Sequence, residues 1–181
     1  MTKKSKVYFI PVEEADKSAL VVEKLKKLLS ESKVLDFLSK DDKAAVKIHF
    51  GEEGNTGFVK PEYVKIICAA ALGKGAKVFL ADTNTLYKGR RTNSKDHLII
   101  AAEHGFTKNN TGAEIVIPDD TSKENIIDLE INQKLIKTAK LVRFFCGSGC
   151  NYCGEPFQRA YYDWLWRGFK KSGNGVCQQE R

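Results

Sequence analysis

Two polar segments of this chain combine side chains that can transfer protons, hold an anion or bind a metal. The first runs from Lys47 to Thr56. Within it, His49 and Glu52 are the candidate catalytic residues, as proton-transfer groups or ligands, because imidazoles and carboxylates are the common acids and bases of proteins. Asn55 and Thr56 are candidate ligand-binding residues. The glycines of this segment would let backbone N–H groups approach an anion.

The second polar segment runs from Asp82 to Arg91 and adds amides, hydroxyls and guanidinium groups. Its candidate ligand-binding residues are Asp82, Asn84, Arg90 and Arg91. Arg91 is the candidate anion clamp, because a guanidinium binds carboxylates and phosphates through paired hydrogen bonds. The alternative for both segments is a pair of well-capped surface turns, with His49 as an ordinary strand residue.

The elements that would position these segments alternate between strands and helices. Short apolar runs predict the strands, and apolar residues at helical spacing predict the helices. The predicted strands cover residues 7–10, 44–50, 77–81 and 114–117. The first predicted helix is capped by Asp16, and the next two begin at Pro61 and at Ser94 or Asp96. This alternation favours an α/β fold with three layers and a mainly parallel sheet. Both polar segments then lie at the carboxyl edge of the sheet, where ligands bind in such folds.

Two smaller features complete the pattern in the first 140 residues. Residues 126–136, with Asn132 and Gln133 near their centre, favour a hairpin. His97 and His104 lie seven residues apart and can share a helix face. Capping or packing is the favoured role of both histidines.

Composition and charge limit the class of protein. The chain has 181 residues, room for one ordinary domain, with 30 Lys and Arg against 23 Asp and Glu. The apolar runs are too short for a membrane span and the N-terminal run is too short for a signal peptide, so we expect a cytoplasmic protein without a membrane partner. The basic residues are scattered and do not form a basic and aromatic stripe, so we expect no nucleic-acid partner. The basic excess is compatible with a small anionic molecule as a ligand.

Composition changes at about residue 141. Residues 1–140 contain 34 Val, Ile and Leu, whereas residues 141–181 contain four, together with nine of the 18 aromatic residues. Four of the five cysteines also fall in this tail, and Cys146, Cys150 and Cys153 form a C-x3-C-x2-C motif. We therefore divide the chain into an α/β part, residues 1–140, and an aberrant tail, residues 141–181.

The first part resembles the family called domain of unknown function 362. The resemblance covers about residues 5–140. It rests on five segments: Lys-Ile-His-Phe-Gly-Glu at 47–52, Gly-Asn-Thr at 54–56, Asp-Thr-Asn-Thr-Leu-Tyr at 82–87, Asp-His-Leu at 96–98 and Glu-His-Gly-Phe at 103–106. It implies an α/β domain about twice as long as this chain, associated with iron–sulfur chemistry. It also implies a ferredoxin-type domain that binds [4Fe-4S] clusters through cysteines lying beyond this chain, so we expect neither that domain nor its cluster here.

The tail has three interpretations. Its three-cysteine motif resembles the cluster motif of radical S-adenosylmethionine enzymes, in which three thiolates leave one iron open. An unrelated small metal site is the second interpretation. The third is a change of reading frame: permitted codons from Cys150 onward, read one nucleotide later, give Val-Ile-Ile-Val-Val-Ser-His-Phe-Lys-Gly and then Thr-Gly-Phe-Gly-Gly and Lys-Asn-Leu-Gly-Met-Gly-Cys. These are the segments with which the resembled family continues, so the change of frame is our leading interpretation.

The functional prediction follows from these parts. We expect a truncated fragment of an uncharacterised iron–sulfur, ferredoxin-linked protein that is redox-active or metal-dependent. Two alternatives remain: a binding module for an anionic small molecule that uses the two polar segments, and a metal or [4Fe-4S] protein that uses the tail cysteines. The sequence does not decide whether the chain is an enzyme.

Overall fold

A parallel sheet of three strands forms the centre of the computed structural model, which describes residues 6–118, 126–132, 134–142 and 144. The helices are α1 (Ser18–Ser32), α2 (Pro61–Leu72), α3 (Ser94–Glu103) and α4 (Lys108–Thr111), with a 3-10 turn at Arg90–Thr92. The strands are β1 (Lys43–Lys47), β2 (Lys77–Ala81), β3 (Glu114–Val116), β4 (Ile126–Glu130) and β5 (Thr138–Val142). The central sheet has the order β1-β2-β3, and β4 and β5 form an antiparallel pair. The predicted α/β fold class is confirmed.

One face of the central sheet packs against helices. Val46 and Leu80, which are paired across β1 and β2, point into a core that includes Val64 and Cys68 of α2. Pro61 occupies the first turn of α2, where its missing N–H has no helical partner to lose. The buried residues of α2 are Val64, Ile67, Cys68 and Ala71, the spacing of a helix with one apolar face. This packing fixes the strands whose carboxyl ends carry the polar segments.

The opposite face of the sheet is covered by the end of the antiparallel pair. Ala45 and Ala81 contact Val142, and the Phe79 and Phe144 rings meet edge to face with centroids 5.7 Å apart. An antiparallel hairpin is present, but the predicted range 126–136 holds only its first strand and turn, because the second strand is Thr138–Val142. Helices therefore cover one face of the sheet, and the end of the hairpin covers the part of the other face at Ala45 and Ala81.

Two predictions near the N-terminus are wrong. The apolar run 7–10 is not a strand, and Val7 and Phe9 are 85% and 81% exposed. Asp16 does not cap α1, because its carboxylate instead accepts hydrogen bonds from the Lys24 side chain and the Glu13 N–H. Strand formation requires a paired sheet edge, which an apolar run does not specify by itself.

The other boundaries differ little from the predictions. The strand predicted over 44–50 is shorter, although Ile48 N–H still donates to the Ala81 carbonyl at 3.0 Å. Helix α3 begins at Ser94, capped by the Asn93 side chain. Among the described residues, no helix has the length and apolar character that a membrane crossing needs. The predictions about Cys146, Cys150, Cys153 and the rest of the tail from residue 145 lie outside the described residues.

Candidate functional site

The two polar segments meet at the carboxyl edge of the sheet. Strands β1 and β2 are parallel neighbours, with Lys47 opposite Ala81. The chain therefore leaves both strands at the same edge, and the segments beginning at Lys47 and Asp82 lie side by side. This is the edge at which α/β sheets bind ligands.

The guanidinium of Arg91 joins the two segments. Its Nε donates to Glu52 Oε1 at 2.9 Å, its Nη1 donates to Asp82 Oδ2 at 3.2 Å, and its Nη2 lies 2.8 Å from both His49 Nε2 and the Tyr87 hydroxyl. The side chain is only 1% exposed. Arg91 therefore holds protein groups with its donors and ties the first segment to the second.

Asp82 forms the buried floor of the site. One oxygen accepts hydrogen bonds from the Lys47 ammonium and the Thr83 N–H, and the other accepts from Arg91. Burial alone would raise the pKa of Asp82, but His97 and Lys47 favour the carboxylate and lower that pKa to about 2. Asp82 is therefore an anion at neutral pH.

His49 and Glu52 lie at the mouth of the site, one neutral and the other ionised. Partial burial and the neighbouring Arg91 charge lower the pKa of His49, so its ring is neutral at pH 7. Both ring nitrogens face donors, because Gly51 N–H points at Nδ1 from 2.9 Å and Arg91 faces Nε2. Partial burial raises the pKa of Glu52, but hydrogen bonds from Arg91 and Tyr87 lower it further than burial raises it. The result is a neutral imidazole beside an ionised carboxylate.

Tyr87 completes the mouth as a protonated donor. Its hydroxyl donates to Glu52 Oε1. Partial burial and this bond to a carboxylate raise the pKa of Tyr87. The phenol therefore stays protonated through the physiological range.

The remaining predicted residues do not join the Arg91 network. Asn55 accepts from Gly57 N–H at 2.6 Å and stabilises its own turn, and the Thr56 carbonyl accepts from Lys60 at 2.8 Å. Arg90 points outward and binds Glu53 and Glu103. Asn84 lies behind the floor, within 3.2 Å of His97.

Sequence reasoning missed three members of the site: Lys47, Tyr87 and His97. Lys47 follows the apolar residues 44–46 at the end of β1, beside the carboxylate that follows β2, and this was the available signal. His104, in contrast, packs as predicted: its Nδ1 lies 2.7 Å from the Phe50 carbonyl oxygen and its ring stacks on Phe58. Gly51 adjoins this pair with a φ of +91°, and a Cβ there would lie 2.7 Å from the Phe58 ring. The first segment therefore requires glycine at this position.

The described residues contain no group of three or more His, Cys, Asp or Glu side chains placed to hold a metal ion. Cys68 lies in the core, and burial raises the pKa of its thiol to about 12. A thiol in this state is a poor ligand and nucleophile, because the thiolate does that chemistry.

Comparison with known proteins gives one result. Residues 44–150 match the family model described as domain of unknown function (DUF362). This range includes both polar segments and all five strands except the first residue of β1. No curated protein and no solved structure matches the chain.

Proposed function

This chain belongs to the domain of unknown function 362 family, and from that premise we propose that it is part of a redox or metal-dependent protein in which His49 and Glu52 transfer protons. One observation carries the proposal: the imidazole of His49 and the carboxylate of Glu52 contact the same enclosed guanidinium, at the carboxyl edge of a parallel sheet. The site would act on a small polar molecule that gains or loses a proton.

The charge states support this function. The neutral His49 ring has one lone pair, which faces Gly51 N–H or Arg91, so the ring accepts a proton when that donor gives way. The ionised Glu52 carboxylate beside it then stabilises the imidazolium that forms. All the described hydrogen bonds to Glu52 reach Oε1, so Oε2 accepts none of them. A positioned acid or base of this kind contributes roughly 10²–10⁴ in rate.

The network favours proton transfer over anion binding. Arg91 is enclosed, and its donors are directed at Glu52, Asp82, His49 and Tyr87. An anion could reach the guanidinium only by displacing one of these partners. Arg91 is thus a group that fixes the proton-transfer pair.

The iron–sulfur association implied by the family resemblance finds no ligand set in the described part of the chain. The described cysteine, Cys68, is buried with a protonated thiol, and the carboxylates of the site are engaged by cations. We therefore assign no part of the proton transfer to such a cluster.

For the tail, we propose that translation leaves the family's reading frame between codons 141 and 150. The collapse in Val, Ile and Leu content after residue 140 supports this interpretation. The family match ends at residue 150, where the shifted frame begins to give the family's next segment. Residues after that point would then be bystanders to the site.

Resequencing the coding DNA from codon 138 to its end tests the change of frame. We expect one inserted or missing nucleotide between codons 141 and 150, with synonymous positions downstream that encode the shifted segments. An intact frame whose synonymous positions forbid those segments would overturn the interpretation and make the three-cysteine motif real.

Histidine modification tests the proton-transfer pair. We expect diethyl pyrocarbonate to modify His49, and the pH midpoint of that reaction to lie below that of free histidine, because the pKa of His49 is lowered. The variant Glu52→Gln should move the midpoint to still lower pH, since the Glu52 charge favours the imidazolium. Peptide mapping by mass spectrometry measures the modification at each histidine.

Glu53→Gln is the matched control for this experiment. Glu53 is exposed and binds Arg90, so its loss should leave the His49 midpoint unchanged. If Glu52→Gln also left the midpoint unchanged, the two groups would not be coupled and the proposed pair would be wrong.

A further inference from the structure

The peptide group between Phe50 and Gly51 connects two histidines. Its carbonyl oxygen lies 2.7 Å from His104 Nδ1, and its N–H donates to His49 Nδ1 at 2.9 Å. Both hydrogen bonds use one rigid unit, because the atoms of a peptide bond lie close to a plane. A rotation of this unit that broke one bond would therefore disturb the other.

The direction of the His104 bond follows from the two atoms that it joins. A backbone carbonyl oxygen only accepts, so His104 Nδ1 carries a proton and donates to it. This is true of the imidazolium and of the neutral ring with its proton on Nδ1. The bond to the Phe50 carbonyl therefore does not depend on the charge of His104.

The contacts of His49 indicate which of its nitrogens holds the lone pair. Gly51 N–H has one hydrogen, and in the described structure Nδ1 is its acceptor. Arg91 Nη2 has two hydrogens, and Glu52 Oε1 and the Tyr87 hydroxyl are acceptors for them. Gly51 N–H needs the lone pair and Arg91 does not, so the contacts favour a neutral His49 ring with its lone pair on Nδ1.

The His104 ring is itself held firmly. It stacks on the Phe58 ring, with centroids 4.4 Å apart and 15° between the planes. At its backbone, His104 N–H donates to the Ile100 carbonyl of α3 at 3.0 Å. Gly51 allows the close approach, because a Cβ at this position would lie 2.8 Å from His104 Nδ1. A ring fixed in this way can fix the peptide group that it contacts.

We propose that His104 is a positioning residue for His49. By donating to the Phe50 carbonyl, it holds the peptide group whose N–H binds His49 Nδ1. His49 takes up a proton at Nδ1 only when this N–H gives way, so His104 controls how readily the imidazole accepts a proton. The inference rests on the proposed function, since His49 is one member of the proposed proton-transfer pair.

The charges that face His49 come from other side chains. They are two cations that oppose its protonation, Arg91 and Lys47, and two anions that favour it, Asp82 and Glu52. The side-chain contacts of His104 are with the Phe50 carbonyl and the Phe58 ring, and it bonds to none of these four groups in the described structure. A substitution at residue 104 therefore acts on His49 through the peptide group and leaves the charges in place.

The variants His104→Phe and His104→Asn test the inference as a pair. Phenylalanine keeps a ring against Phe58 but has no donor, whereas the asparagine amide can place a donor near the position of Nδ1. We expect the phenylalanine variant to raise the pH midpoint of His49 modification by diethyl pyrocarbonate, with protonation favoured by about twofold to tenfold, the effect of losing one hydrogen bond. The asparagine variant should move the midpoint back toward that of the wild type.

Glu103→Gln is the matched control, because Glu103 precedes His104 and binds Arg90 at the surface. It should leave the His49 midpoint unchanged. A folded His104→Phe protein with the wild-type midpoint would overturn the inference, and so would equal midpoints in the phenylalanine and asparagine variants. The proposed function fails by a different result, an unchanged midpoint in Glu52→Gln.

Nitrogen NMR of the wild-type chain labelled with ¹⁵N-histidine decides the matter if neither variant folds. We expect the neutral His104 ring to carry its proton on Nδ1 and the neutral His49 ring to carry its proton on Nε2. An unprotonated Nδ1 signal for His104, or a protonated Nδ1 signal for neutral His49, would contradict the proposed arrangement.

Discussion

Replacing Arg91 by Met is expected to lower the free energy of unfolding by about 3–5 kcal/mol, the range typical for removing one partner of a buried ion pair. The guanidinium is 1% exposed and contacts two carboxylates, Glu52 and Asp82. Met preserves much of the side-chain volume but leaves Asp82 as a buried anion with one fewer cation. Urea denaturation followed by far-UV circular dichroism measures the change.

Arg90→Met is the matched control, because it removes the same chemical group one residue away. Arg90 makes its ion pairs with Glu53 and Glu103 at the surface, where such pairs contribute little to stability. We expect the Arg90 variant to unfold close to the wild-type urea concentration. Equal losses in the two variants would show that the buried network does not hold the segments together.

The contrast between these neighbouring arginines shows how far the sequence could predict the site. Parallel strands that pair in register deliver their following segments to one edge, so the meeting of His49 and Glu52 with Asp82 was predictable. The direction of each side chain was not. A single 3-10 turn places Arg91 inward and Arg90 outward, and nothing in the local sequence distinguishes the two.

The prediction failed where structure depends on distant partners. Residues 7–10 have the composition of a strand, but pairing requires a sheet edge that the local sequence does not specify. His97 was expected only to cap or pack, because its contact with Asn84 belongs to a chain of hydrogen bonds that runs through Ser94 to Ile117. Those residues are 23 positions apart, and the contact exists only because α3 and the end of β3 lie together.

The same dependence explains why Lys47 and Tyr87 were missed. Each becomes part of the site through a residue 35 positions away, Lys47 through Asp82 and Tyr87 through Glu52. Both bonds cross from one polar segment to the other. The sequence located the two segments, but it did not predict which side chains would join them.

The second large effect is expected from Asp82→Asn, and it depends on pH. At neutral pH the variant should lose about 3–5 kcal/mol, because Lys47 and Arg91 stay charged and buried without their shared carboxylate. Asparagine keeps the size and shape of the side chain. The loss therefore reports on the charge and the hydrogen bonds of the carboxylate and not on packing.

The pH dependence follows from the lowered pKa of Asp82, which is about 2 in the folded protein against 3.8 in the unfolded chain. Ionised Asp82 adds about 2 kcal/mol to stability at any pH above 3.8, and this contribution disappears as pH falls through 2. The difference in the free energy of unfolding between wild type and Asp82→Asn should therefore narrow by about 2 kcal/mol as the pH falls from 3.8 to below 2. Urea unfolding at a series of pH values measures this difference.

Asp36→Asn is the control, because Asp36 is an exposed carboxylate paired with Lys74, and its variant should differ little from wild type at every pH. A difference for Asp82→Asn that stays constant below pH 3.8 would mean that Asp82 is not the ionised floor of the site.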